Sequence, residues 1–273
     1  MELMGRRTIR TFREVLAAAA MEKRDSAVAR RSGGVQGAEK PRDVYLSACE
    51  QIASAFSQDG FRYQRSKQEF SRVVGPFKHR IGFQASRDNI RGPHVVLWIH
   101  ADVRCSRLVR WRREQSHPLS GRSDYLCGGM VHLIENKHAW VEWELADPKQ
   151  RQATVEDAVT FLRSVVLPYF HGFEDPVAVL SEIEQGRSFN AFTMENQIDL
   201  ALCFGRRDLA QRVLDIHVAA GGPDLQRSIR RALDKIKREG MDDFFRGTFN
   251  GEEPAWAHLA YGLVLDGIEP DRF

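Results

Sequence analysis

Between His94 and Arg104 the chain alternates without a break. Val95, Leu97, Ile99, Ala101 and Val103 fall on one side of an extended backbone, and Val96, Trp98, His100 and Asp102 on the other. A period of two sustained this long is the mark of a strand. The same period appears before it, where Phe61 and Tyr63 alternate with Arg62 and Gln64, and where Phe77, Ile81, Phe83 and Ala85 share a face. After it, residues 129–134 and 139–146 predict a hairpin around Glu135-Asn136-Lys137, with Val141, Trp143 and Leu145 as its apolar side. Four or five such runs joined by short connections imply a mainly antiparallel sheet.

On either side of this region the period lengthens to that of a helix. Tyr45, Ala48, Ile52, Ala55 and Phe56 place a helix over 43–59, with Asp43 as its N-cap and Gly60 at its end. From residue 154 the chain is helical. Thr154 and Asp157 read as a capping box, and the helix runs to Leu167, where Pro168 marks a break or kink. Asp175-Pro176 opens another helix. Residues 196–204 and 208–219 form a helical hairpin across Gly205, and 223–238 and 254–267 follow, with Pro223 and Pro254 near their starts. The fold class is α+β: an N-terminal helix, a mainly antiparallel four- to five-stranded sheet, then a C-terminal run of helices. The α+β domain spans 42–273, with helix and sheet in 42–150 and the helical part in 151–273. Ahead of it, residues 1–41 read as a basic extension. It holds a helix over 8–23 (Ile9, Phe12, Val15, Leu16 and Ala19) and a flexible linker over 24–41 containing Gly33-Gly34 and Pro41.

Charge is unevenly spread. The chain carries 40 Lys and Arg against 37 Asp and Glu, a net +3. Residues 1–115 hold 23 of these cations against 12 acids, net +11, whereas 116–273 hold 17 against 25, net −8. Either the two halves attract each other, or the basic half meets an anionic partner such as nucleic acid. No stretch reaches the roughly 20 apolar residues of a membrane helix, so no membrane partner is expected. Cys49, Cys105, Cys127 and Cys203 form no Cys-x-x-Cys pair. They are expected to be buried small apolar residues in a reducing, cytoplasmic setting.

Several constellations bear on chemistry. His100 and Asp102 project from one strand face beside Trp98, where a carboxylate can orient a general base; a satisfied structural histidine is the alternative. Gln84, Ser86 and Arg87 place an amide, a hydroxyl and a guanidinium at a strand end, suited to a ligand or to holding the turn. Arg104, Arg107, Arg110 and Arg113 recur every third residue, beside Arg112 and Trp111. If helical, they form a basic stripe with Trp111 as a stacking platform for a base; if extended, they split between faces. Residues 197–219 have helix-turn-helix spacing, but Asp208 and Asp215 outweigh Arg212 on the second helix, so a packing hairpin is expected. Glu142 and Glu144 share a strand face. The histidines His79, His94, His100, His132 and His138 are scattered over the sheet region. With no phosphate loop, dinucleotide fingerprint or metal-ligand spacing, neither cofactor nor metal is expected.

The chain also resembles a known family. Gly60-Phe61, Phe70 with Arg72, Phe83-Gln84-Ala85-Ser86-Arg87, the strand from His94 to Val103, and Leu167-Pro168-Tyr169-Phe170 before a short Asp-led helix resemble the bacterial family called domain of unknown function 4304. The resemblance covers roughly residues 42–190. It implies an α+β fold and no established reaction. Similar proteins sit among bacterial toxin, immunity and defence genes, which implies a binding or neutralising role. The expected function is thus a non-enzymatic bacterial binding protein with a protein partner, an immunity or defence-associated factor. The alternatives are nucleic-acid binding through residues 1–115, and an enzyme with its site on the polar face of the sheet. The candidate binding residues are Gln84, Ser86, Arg87, His100, Asp102, Arg104, Arg107, Arg110 and Arg113.

Overall fold

A computed structural model describes residues 7–10, 39–90, 93–116, 119, 122–135, 140–187, 189–239, 253–265 and 268. It is an α+β structure. The chain divides into two compact units, each assembled from two segments. Unit 1 is Met1–Arg104 with Cys127–Glu174, and unit 2 is Cys105–Leu126 with Asp175–Phe273.

Unit 1 is built on the sheet. Its strands are β1 Arg7–Arg10, β2 Arg62–Gln64, β3 Glu69–Val74, β4 Phe77–Ala85, β5 Val96–Cys105, β6 Tyr125–Met130 and β7 Trp140–Glu144. They lie in the order β1-β7-β5-β4-β3-β2, with β6 also pairing to β5. The pairs β1/β7, β2/β3, β3/β4 and β5/β7 are antiparallel. The long alternating strand, β5, lies inside the sheet between β7 and β4, and its burial follows its pattern. Leu97, Ile99, Ala101 and Val103 are fully buried on one face. Helix α1, Pro41–Ser54, buries Val44, Tyr45, Ala48, Cys49 and Ile52. An aromatic seam joins sheet to helices: Phe70 lies 5.4 Å from Phe56 and 5.5 Å from Phe61, and Trp143 lies 5.7 Å from Phe161.

Several local expectations are corrected. Residues 7–10 are an edge strand rather than the start of a helix over 8–23, because Thr8 and Ile9 are β-branched and pair with β7. Residues 11–38 lie outside the described residues. Asp43 sits in the first turn of α1, whose N-cap is Lys40 followed by Pro41. The expected hairpin of 129–134 with 139–146 does not form. The strand ends at Met130, residues Val131–Ile134 make the short helix α3, and β6 and β7 each pair with β5. Thr154 lies inside helix α4, Arg151–Phe161, and its hydroxyl donates to the Gln150 carbonyl at 3.1 Å. Asp157 caps nothing; it accepts the Trp143 indole N–H at 2.9 Å. Pro168 does not break the helix. A π-helical turn at Leu162–Val166 widens it before α5, Leu167–His171, so the missing N–H of the proline is accommodated.

Unit 2 is helical: α2 Ser106–Glu114, α6 Pro176–Glu184, α7 Met194–Cys203, α8 Arg207–Glu239 and α9 Glu253–Tyr261. Asp175 caps α6 by accepting the Val177 N–H at 3.0 Å, with Pro176 at the first position. The expected helical hairpin is present, turning at Gly205, which takes φ +77°. Helix α8 is interrupted at Gly222 (φ 60°, ψ −160°), and Pro223 restarts it. Beyond this kink Ile229, Ala232, Leu233 and Ile236 pack with Ala255, Trp256 and Ile268. The last helix ends at Tyr261 rather than 267, and residues 266 and 267 lie outside the described set.

Candidate functional site

The polar face of the unit 1 sheet gathers charge. Alternation puts Glu69 of β3, Lys78, Arg80 and Gly82 of β4, and His100, Asp102 and Arg104 of β5 on the side opposite the core. Arg80 is the centre. Its Nε donates to both Asp102 oxygens at 3.1 and 2.9 Å, its Nη2 also donates to Asp102, and its Nη1 donates to Glu69 at 3.0 Å. Arg104 adds an Nε donation to Asp102 at 3.0 Å, and Lys78 lies 3.7 Å from Glu69. The result is a five-charge ladder, Lys78–Glu69–Arg80–Asp102–Arg104, with alternating sign. Both carboxylates are buried, Asp102 at 4 % exposure and Glu69 at 7 %, while the cations keep their outer edges in solvent. Buried carboxylates need such partners, and charge-assisted forks supply them.

His100 lies on the same face. A Cβ at Gly82 would run into its imidazole, so the glycine leaves room for the ring. Burial, reinforced by Arg80, holds the His100 pKa below its ordinary value and keeps the ring neutral. No hydrogen bond joins His100 to Asp102 among the described residues. The carboxylate is turned to the two arginines instead, so it does not orient His100 as a base.

The other candidates stand apart from the ladder. Gln84 and Arg87 are exposed. Ser86 holds the turn, its hydroxyl accepting the Asp88 N–H at 3.2 Å. Nearby, Asn89 brackets Val96, accepting its N–H at 2.9 Å and donating to its carbonyl at 3.2 Å. Arg104 belongs to β5, whereas Arg107, Arg110 and Arg113 lie exposed on α2 of unit 2, so the four do not form one stripe. The Arg107 guanidinium stacks over Phe204 at 4.2 Å. Trp111 packs against Tyr261 at 5.8 Å, which occupies one flank of the proposed stacking platform. Arg112 turns inward and is fully buried. It donates to Asp199 at 2.8 Å, to Asn196 at 2.6 Å, and to the Ser123 and Tyr125 carbonyls at 2.9 Å each.

Sequence reasoning passed over Arg80, Glu69 and Asp199. Arg80 was readable as polar-face from the alternation of β4, but its pairing with Asp102 depends on strand neighbours that the sequence does not state. Among the described residues no group of three His, Cys, Asp or Glu side chains is placed to hold a metal. All four cysteines are free and buried, and no helix there is long and apolar enough to cross a membrane. No protein-family model, curated protein or solved structure matches the chain.

Proposed function

We propose that the protein is a non-enzymatic binding protein that engages a protein partner, in the manner of an immunity or defence-associated factor. The observation that carries the reading is the closed charge ladder. Asp102, the side chain best placed to activate His100, spends its oxygens on Arg80 and Arg104, which supports a rigid scaffold over a catalytic dyad. The partner class is supported by the family resemblance and by an apolar cleft of about 310 Å³ in unit 2. That cleft is lined by Ile183, Phe192, Met194 and Val213, with Ile216 half-exposed at its edge. Four free cysteines suit a reducing, cytoplasmic setting. The test is co-expression with the products of neighbouring genes. A stoichiometric complex that suppresses the toxicity of one of them is expected, and neither binding nor protection with any of them overturns the reading.

A second reading, nucleic-acid binding through the basic N-terminal half, is favoured by the exposure of Arg107, Arg110 and Arg113 on α2. It requires an affinity that falls steeply with salt, and that is lost on replacing these three arginines.

A further inference from the structure

We propose that the second half of α8 presents a phosphate-binding surface for the backbone of a double-stranded nucleic acid. The surface belongs to the half of the sequence that is acidic on average, and the inference rests on neither reading above. After the Gly222–Pro223 kink the helix has two unlike faces. Ile229, Ala232, Leu233 and Ile236 are buried against Trp256 and its neighbours. Opposite them Arg227, Arg230, Arg231, Lys237 and Arg238 are all exposed. Among the described residues the one carboxylate paired to any of these five is Asp224, which meets Arg227. Arg238 donates to the Asp234 main-chain carbonyl at 3.3 Å rather than to its carboxylate.

Helix stability accounts for only part of this cluster: Asp234 stands three or four residues from Arg230, Arg231, Lys237 and Arg238, and Asp224 three before Arg227, so two acids face five cations. Arg227 stands three and four residues before Arg230 and Arg231, the spacings at which like charges repel. The helix dipole favours cations in the last turn, which covers Lys237 and Arg238 but not the three arginines before them. A membrane is also a poor fit, since an interfacial helix inserts its apolar face, and here that face is already buried. A duplex phosphate backbone does fit. The cations run about 16 Å along the helix, a length over which a duplex presents many phosphates. Four of the five are arginines, whose planar forks match phosphate oxygens. The one amide in this stretch, Gln226, lines a recess with Val264 and Leu265 instead, and the contact proposed is to the phosphate backbone.

The experiment is fluorescence anisotropy of the full-length protein with a labelled mixed-sequence DNA duplex of about 20 base pairs, titrated with salt between about 50 and 200 mM. The wild type is expected to bind, with log K falling linearly in log salt. R230A/R231A is expected to flatten that slope by about two and to weaken binding about tenfold or more at low salt. R227A/R238A should behave alike, and because all these side chains are exposed, circular dichroism should report unchanged helix content. R107A/R110A/R113A on α2 should leave the α8 contribution in place. The proposal is overturned by no binding at low salt, or by full affinity in both α8 variants. Loss of all binding in the α2 variant alone, or capture by anionic phosphatidylserine vesicles in preference to the duplex, also overturns it.

Discussion

His79 should make unit 1 sensitive to mild acid. Its ring is fully buried on the core face of β4 and lies stacked on Phe170, with centroids 4.7 Å apart and planes 7° from parallel. Its Nδ1 accepts the Arg72 Nε–H at 3.2 Å, and its Nε2 sits 3.1 Å from the Phe173 carbonyl, to which it donates. That pair of bonds fits only the neutral ring, since a proton on Nδ1 would face the Arg72 guanidinium. Burial lowers the pKa to about 4; the Phe173 carbonyl partly opposes this, and Arg72 adds to it. In the unfolded chain the ordinary value is about 6.5. The folded value being the lower, the unfolded state takes up the proton first. The stabilisation is therefore complete above about pH 6.5 and fades as pH falls, and its loss, about 3 kcal/mol in all, is complete below about pH 4. Between about pH 7 and pH 5 the loss is about 2 kcal/mol. Urea unfolding followed by tryptophan fluorescence, run on wild type and His79→Phe, isolates it from His100 and His132, whose pKa values burial also lowers. The variant starts less stable at neutral pH, because Arg72 and the Phe173 carbonyl lose a partner. Its stability should then fall less on acidification, by about 2 kcal/mol. Parallel stability profiles for the two proteins would refute the reasoning.

Two further substitutions probe the sheet. Asp102→Ala leaves Arg80 and Arg104 facing each other without their shared carboxylate, and should lower the unfolding free energy by about 3 kcal/mol in urea, toward the lower end of the range for broken buried pairs because both arginines are partly exposed. Gly128→Ala should destabilise by about 2–4 kcal/mol in thermal melts. Gly128 has φ +121°, and its added Cβ would meet the Ala101 carbonyl and the Asp102 backbone, which cannot swing aside. Gly186→Ala, at φ +72° with nothing within 4 Å, should lose only about 1 kcal/mol, and an equal loss at both sites would contradict the role of the close approach.

The elements whose residues bury one face were legible from periodicity alone. The central strand, α1, α6 and the α7–α8 hairpin each carry a pattern that tertiary packing reinforces. Errors fell where a local motif had a competing use. Thr154 and Asp157 have the spacing of a capping box, yet Asp157 is drawn to the Trp143 indole on β7. Met130 continues a strand pattern that α3 then ends. The candidate site was legible only in halves. His100, Asp102 and Arg104 follow from one strand's alternation, whereas Arg80 and Glu69 enter through pairing across β4 and β3. Arg112 shows the limit most clearly. It sits in a run of arginines that reads as a solvated stripe, and its burial depends on Asp199, 87 residues away.

The excess of positive charge in residues 1–115 acquires a different meaning once the chain is folded. Arg72 pairs with Glu174 at 2.7 Å, Arg163 of the second half with Asp59 of the first at 3.5 Å, and Arg112 with Asp199 at 2.8 Å. Each pair crosses residue 115 in sequence yet lies inside one unit, because both units are assembled from an early and a late segment. Part of the attraction between the two halves of the sequence therefore acts inside each unit. What remains for recognition is set by which cations a helix leaves outside. On α2 these include Arg107, Arg110 and Arg113, with Arg112 withdrawn into the core; on α8 they include Arg207 and Arg212 before the Gly222 kink and five more after it, on a stretch whose half of the sequence is net acidic. Both helices lie in unit 2, one from the basic half of the sequence and one from the acidic half, so variants on each separate their contributions to an anionic partner.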